Sequence, residues 1–251
     1  MATRLGVALR EAGHDVAQVY GRTASSVEAL AVILGAEGVT RPEALEPDMP
    51  LYICALKDEA LPKVLPLVHF GAGVVVHTAG SLPLEVLKPY TSRCGVFYPM
   101  QTLSKARAVS FAEIPIYLEA EDPAVLALLG ELAGGLSRKV YTVTSDQRQS
   151  LHLAAVFACN FTNHLYAIAE SLLTEKGLSF EALLPLIAET AAKVHTLSPK
   201  AAQTGPAVRF DRNIIDKHLK QLEGHPEWHT LYEQLSRGIY EMHHSCDTHG
   251  L

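Results

Sequence analysis

Residues 73–78 read Gly-Val-Val-Val-His-Thr, and residues 51–56 read Leu-Tyr-Ile-Cys-Ala-Leu. The second is a continuous apolar run, and the first is three valines closed by His77 and Thr78. A strand with one wet face alternates apolar and polar residues, whereas a strand covered on both faces does not. These two runs therefore predict the interior of a parallel sheet with helices on either side. Moving outward, Gly95–Tyr98, Ile114–Leu118 and Lys139–Val143 have the same character, and a helical pattern over 123–135 separates the last two. A helix is expected over 58–69 between the first pair. Toward the N-terminus, residues 2–12 carry Leu5, Ala8, Leu9 and Ala12 on one face, with Gly13 where a helix ends. Val16–Tyr20 follows as a short strand. A helix over 27–34 comes next, with Ser25 or Ser26 placed to cap it. Strands alternating with helices predict an α/β Rossmann-type, mostly parallel sheet.

After Ser145 the pattern changes. From Asp146 to about Glu175 there is no Gly or Pro, and Leu, Ala and Phe dominate. That predicts one long helix, with further helices over 179–197, 211–222 and 228–244 and a frayed tail from Ser245. The expected domains are a Rossmann-like NADP-binding domain over 1–145, incomplete at its N-terminus, and an all-helical domain over 146–251. The long helix bears Leu151, Leu153, Val156, Phe157, Leu165 and Ile168 all round its axis. A domain of this size cannot bury every such face alone, so a homodimer through these helices is expected.

The opening is unusual for this fold. A Rossmann domain starts with a strand, a Gly-rich loop, a helix and a second strand. Here the chain opens inside the first helix, and no G-x-G-x-x-G occurs anywhere in it. The expected first strand and Gly-rich loop are missing, which predicts weak dinucleotide binding by the chain as written and a natural start upstream of Met1.

Hydrophobic residues make up 48% of the chain and charged residues 19%, which suits a folded protein with real cores. A net charge of −6 argues against non-specific nucleic-acid binding, which needs a basic surface. No apolar run approaches the roughly 20 residues of a membrane span. Cys54, Cys94, Cys159 and Cys246 are far apart in sequence and show no zinc or redox spacing. A reducing, cytoplasmic setting is expected, with no metal, no membrane and no nucleic acid.

The stretches HTAGSLP (77–83), GVFYPMQTLS (95–104), Asn160-Phe161-Thr162-Asn163-His164 and AQTGPAVRFD (202–211) carry a resemblance. The chain resembles a bacterial family of Rossmann-like oxidoreductase homologues whose C-terminal helical domain has no assigned function. In architecture that family is similar to pyrroline-5-carboxylate reductase and the 3-hydroxyacid dehydrogenases. The resemblance implies an opening strand followed by Gly-x-Gly-Asn-Val-Ala, with Met1-Ala2 at the Val-Ala. It also implies a Lys and an Asn on the long helix, acting on a substrate carbonyl. This helix has no Lys before Lys176.

Within that frame, Arg22 and Thr23 follow the second strand, where NAD enzymes usually carry an acid for the ribose hydroxyls. An Arg with Thr23 and Ser25 at a helix start suits the 2′-phosphate of NADP instead. Lys57 lies in the loop expected under the adenosine. His77, Thr78 and Ser81 end a buried strand, the edge where open α/β sheets bind ligands, and Gln101 ends the next one. On the long helix, His152 and Asn163 fall about 20° apart at the α-helical spacing, with Asn160 about 80° away. His77 or His152 could exchange a proton near neutral pH, with Asn163 beside it. Gln101, Asn160 and Arg209 are candidate substrate contacts, and Arg209 could equally pair with Glu189 or Asp211. Two readings follow: an NADP-dependent oxidoreductase acting on a small carbonyl, imine or hydroxyacid, and a non-catalytic nucleotide-binding or sensor protein.

Overall fold

The structure, a computed structural model, describes residues 1–104, 107 and 109–244. The expectation of a frayed tail from Ser245 lies outside the described residues. The chain divides into two compact units, Met1–Phe161 and Thr162–Leu251. The boundary expected at 145 is the start of a continuous helical run, and the first part of that run packs with the sheet.

In the first unit, α1 (Ala2–Glu11) leads through Gly13, whose φ of 88° turns the chain, into β1 (Gln18–Tyr20). Helix α2 (Ala24–Leu34) follows, then β2 (Glu37–Val39). The cap of α2 is Thr23, without a side-chain cap bond, and not Ser25 or Ser26. β2 has no counterpart in the sequence reading, because Glu-Gly-Val is too short and too polar to show a strand period. β1 and β2 pair in parallel, Val19 opposite Gly38.

β3 (Leu51–Cys54), β4 (Val74–His77), β5 (Cys94–Pro99), β6 (Ile116–Glu119) and β7 (Val140–Thr142) form a second sheet in that order. Only the β5–β6 pairing is antiparallel. The helix expected over 58–69 is instead a 3-10 turn (Asp58–Ala60), one α turn, α3 (Leu61–Val64), and a further 3-10 turn (Leu65–Leu67). Pro62 and Pro66 lack the N–H that a continuous helix needs.

β4 is buried along its whole length. Val74 and Val76 point to one face, where they meet Leu5 and Leu9 of α1 and Val125 and Leu129 of α4 (Pro123–Leu136). Val75 points to the other, against Leu61, Leu65, Leu84 and Leu87. By contrast β3 is only half-buried, because it pairs with β4 alone. Between β3 and the β1–β2 pair lies a cleft of about 560 Å³. Leu5 and Leu9 of α1, Val16 and Val19, and Leu51 and Ile53 line it.

The helical run from Ser145 is α5 (Ser145–Ala155), a π-helical segment (Val156–Phe161) and α6 (Thr162–Thr174). Thr144 and Gln147 form a reciprocal capping box at its start. In the second unit, α7 (Leu184–Lys193) begins after a 3-10 turn, later than the expected 179. α8 (Pro199–Ala202), α9 (Arg212–Gln221) and α10 (Pro226–His244) follow. Asp211 caps α9 through the Ile214 N–H. His218 on α9 meets the Tyr232 hydroxyl on α10 at 2.8 Å.

Candidate functional site

Parallel β4 and β5 end side by side, and the loop after β4 crosses their carboxyl ends. His77, the last residue of β4, is 0% exposed. Its Nδ1 accepts the Ala79 N–H at 3.2 Å, and its Nε2 lies 3.3 Å from the Pro83 carbonyl oxygen. A proton on Nε2 satisfies both contacts. Burial first, and then the positive charge of Arg148, lower the His77 pKa to about 4. His77 is therefore neutral near pH 7 and pins both ends of the loop. Thr78 is buried, and its N–H bonds to the Cys54 carbonyl at 3.3 Å. Ser81 is exposed and donates to the Asp58 carboxylate. Asp58 thus anchors this loop and does not cap a helix.

Helix α5 supplies the opposite wall. His152 Nδ1 is 3.2 Å from the Tyr98 hydroxyl at the end of β5, and the two rings meet edge to face. Gly80 sits against both: a Cβ there would stand 2.6 Å from His152 Nδ1 and 2.9 Å from Tyr98 Cζ. Burial raises the Tyr98 pKa, so its phenol keeps its proton. Tyr98, Tyr117 and Tyr141 are paired across β5, β6 and β7, and Tyr117 and Tyr141 stack at 5.5 Å.

One turn before His152, Arg148 is fully buried. Its Nη1 donates to the carbonyls of Ala79 (2.8 Å), Gly80 (3.2 Å) and Leu82 (2.6 Å). Its Nη2 donates to Glu119 (2.9 Å) and Ser145 Oγ (3.1 Å). Sequence reasoning missed Arg148, Glu119 and Ser145. The available signal was Arg148 itself, a charge four residues from His152 and so on the same helix face.

A second cleft of about 390 Å³ opens at the end of β1. Arg22, Thr23 and Ser26 line it, facing Thr3 and Arg4 at the start of α1. Arg22, Thr23 and Ser25 are exposed. Ser25 is not among the lining residues, and neither is Lys57, which lies exposed at the cap of the turn after β3. Gln101 is exposed and folds back on Thr102, accepting its N–H at 2.8 Å. Asn160 is exposed within the π segment. That segment breaks the 100° spacing on which a shared face for His152 and Asn163 depended. Asn163 and Arg209 are exposed residues of the second unit. Neither expected partner of Arg209 pairs with it: Glu189 pairs with Lys193, and Asp211 caps α9. Among the described residues no cluster of His, Cys, Asp and Glu could hold a metal, and no helix is long and apolar enough to cross a membrane.

A family model described as a domain of unknown function, DUF2520, matches residues 114–239. The structure is similar to that of a protein from Bacteroides fragilis provisionally named an NADP oxidoreductase, with 48% identity and a TM-score of 0.92. That match covers 96% of this chain and 94% of the other. A protein of Thermotoga maritima is 23% identical at a TM-score of 0.78, covering 96% and 95% of the two chains. An imine reductase from Myxococcus stipitatus, solved with NADP+, is 16% identical at a TM-score of 0.65, covering 96% and 89%. The last two share the fold. No curated protein sequence matches the chain.

Proposed function

The chain belongs to the Rossmann-like oxidoreductase family that carries the DUF2520 domain, and from that premise we propose an NADP-dependent oxidoreductase acting on a small carbonyl, imine or hydroxyacid. The observation that carries this reading is the cleft at the end of β1, where Arg22, Thr23 and Ser26 converge. A guanidinium and hydroxyls at a helix start fit a 2′-phosphate, which is what separates NADP from NAD. Ser25 and Lys57 flank that position, and Thr78 and Ser81 border the carboxyl edge of β4. The pyrophosphate end fits less well, because the chain has no G-x-G-x-x-G turn to bring backbone N–H groups close. We read the cleft between β1 and β3 as the berth of one further parallel strand, since two strands there each leave an edge unpaired.

When bound, the nicotinamide would supply or accept a hydride, and one proton must move with it. His152 is the residue we assign to that proton. With its Nδ1 on the Tyr98 hydroxyl, its Nε2 remains for the substrate oxygen or nitrogen. His77, neutral and bonded on both nitrogens, holds the loop and is not assigned a proton exchange with the substrate. Gln101 and Asn160 in the first unit, and Asn163 and Arg209 in the second, are each candidate substrate contacts. A homodimer accords with the exposed Leu153 and Phe157 of the long helix and Leu184 and Leu186 of α7. The free thiols of Cys54, Cys94 and Cys159 accord with a reducing, cytoplasmic setting.

The second reading is a nucleotide-binding sensor without turnover. It is favoured by the lack of any Lys on the long helix before Lys176. The deciding measurement is NADPH and NADH binding, followed by NADPH oxidation across a panel of carbonyls and imines. It is made on this chain and on a version extended before Met1 by an apolar strand and a Gly-x-Gly turn. Arg22→Ala should weaken NADPH roughly 10- to 150-fold, the worth of one charge-assisted contact, with far less effect on NADH. Equal losses for both would remove Arg22 as the reader of the phosphate. Binding without oxidation of any substrate in the panel would favour the sensor.

A further inference from the structure

Arg148 is a buried cation whose one carboxylate partner among the described residues is Glu119. Taking a guanidinium out of water is costly, and a single ion pair seldom returns that cost in full. Its Nε–H, equally buried, meets no protein acceptor among the described residues. A side chain chosen for stability alone would be fully bonded or apolar. What Arg148 does achieve is convergence. One Nη gathers the carbonyls of Ala79, Gly80 and Leu82, which otherwise would point apart along the loop. Ser145 links the same grip to Glu119 and to the Leu84 N–H.

The consequence lies one helical turn away. Drawn in by Arg148, the Gly80 backbone reaches the His152 ring so closely that no Cβ would fit. The same Nδ1 edge of the ring meets the Tyr98 hydroxyl, and Gly80 packs against both. Loop and phenol thus converge on one edge of the imidazole, and that contact limits its rotation and sets the nitrogen facing Tyr98. We propose that Arg148 is a positioning residue: it clamps the 79–82 loop so that Gly80 seats the His152 ring, with Nδ1 on the Tyr98 hydroxyl and Nε2 presented for proton exchange. The role of that proton rests on the oxidoreductase reading above, whereas the seating of the ring does not.

The test is histidine-selective nitrogen NMR of the full chain without cofactor, with the His152 signals assigned by their loss in His152→Gln. Tyr98→Phe should shift the Nδ1 resonance by removing its hydrogen bond. Arg148→Met should produce the same shift and average the two ring nitrogens. Arg148→Lys, which keeps the charge and reaches fewer carbonyls, should restore the signature in part. Gly80→Ala should disturb it without touching Arg148, and it decides the matter together with Arg148→Lys if Arg148→Met does not fold. An unchanged His152 signature in folded Arg148→Met, or in both Arg148→Lys and Gly80→Ala, overturns the clamp. Where the panel yields a substrate, Arg148→Met should lower kcat by about 10²-fold with NADPH affinity unchanged. Absence of NADPH binding by both this chain and the version extended before Met1 would end the oxidoreductase reading and leave the NMR result standing.

Discussion

His77 ends a fully buried strand, and its neutrality has a measurable cost in acid. In the unfolded chain an imidazole takes up a proton below about pH 6.5, whereas in the folded protein His77 resists until about pH 4. The unfolded state therefore binds more protons between those values. The stability tied to His77 is fully present above pH 6.5 and is lost as pH falls through that window, by about 3 kcal/mol in all. Denaturant melts from pH 7.5 to 4.5 should show this slope, and His77→Gln should flatten it; the same slope in the variant would assign the acid sensitivity elsewhere. Cysteine chemistry follows the same physics. Burial pushes the Cys54 thiol up to about 12, while Cys159 is exposed on the π segment. A thiolate-selective alkylating reagent at pH 8 should label Cys159 in the folded protein well before the half-buried Cys54, and unfolding should remove the difference. Labelling of both at equal rates would contradict the packing of β3.

The helical run from Ser145 shows what a sequence pattern carries at the level of an element and what it does not. Its start, expected at Asp146 from the loss of Gly and Pro, falls at Ser145, and the capping box that Thr144 and Gln147 form there played no part in that expectation. Thr144→Ala should cost about 0.5–2 kcal/mol, read as a lower midpoint in urea with unchanged slope. A loss below a few tenths of a kcal/mol would mean that packing of α5 holds the helix start without the cap. The π segment was not legible, because Val-Phe-Ala-Cys-Asn-Phe holds no Gly or Pro and reads the same at either pitch. That single change of pitch undid the argument placing Asn163 beside His152. The segment over 58–69 failed for a readable reason: Pro62 and Pro66 stood in the sequence, and each removes a helix donor.

At the scale of the molecule, β1 and β3 leave an apolar cleft between them, lined from above by α1. A six-residue apolar strand laid there would pair with both edges and cover Leu51 and Ile53. Extending the chain before Met1 by such a strand should raise Tm by at least about 4 °C, since about 1 kcal/mol moves a chain of this length by 2–4 °C. An unchanged Tm would show that the cleft does not accept a strand. Dimerisation is separable from this. Light scattering at micromolar concentration should give twice the monomer mass, and Leu153→Glu with Phe157→Glu should halve it. A monomer in the unmutated protein would leave the exposed face of the long helix to another purpose.

The sequence by itself determined the class of fold. The apolar stretches at 51–56 and 73–78 suit a parallel sheet covered by helices, and β3 and β4 pair in parallel there, β4 inside the sheet and β3 at its edge. It also placed His77 and Ser81 on the loop at the carboxyl edge of the sheet and Arg22 at the end of β1, because strand ends follow from pattern. Only the tertiary structure decided what those residues touch. Burial removed His77 from proton exchange, a long-range contact joined Tyr98 to His152, and Arg148 emerged from a helix read as apolar to bind a loop more than sixty residues earlier in the chain. Local pattern is set by neighbours three or four residues away. Burial, charge and hydrogen-bond partners are set by whatever the fold brings within a few ångströms, and no spacing along the chain encodes that.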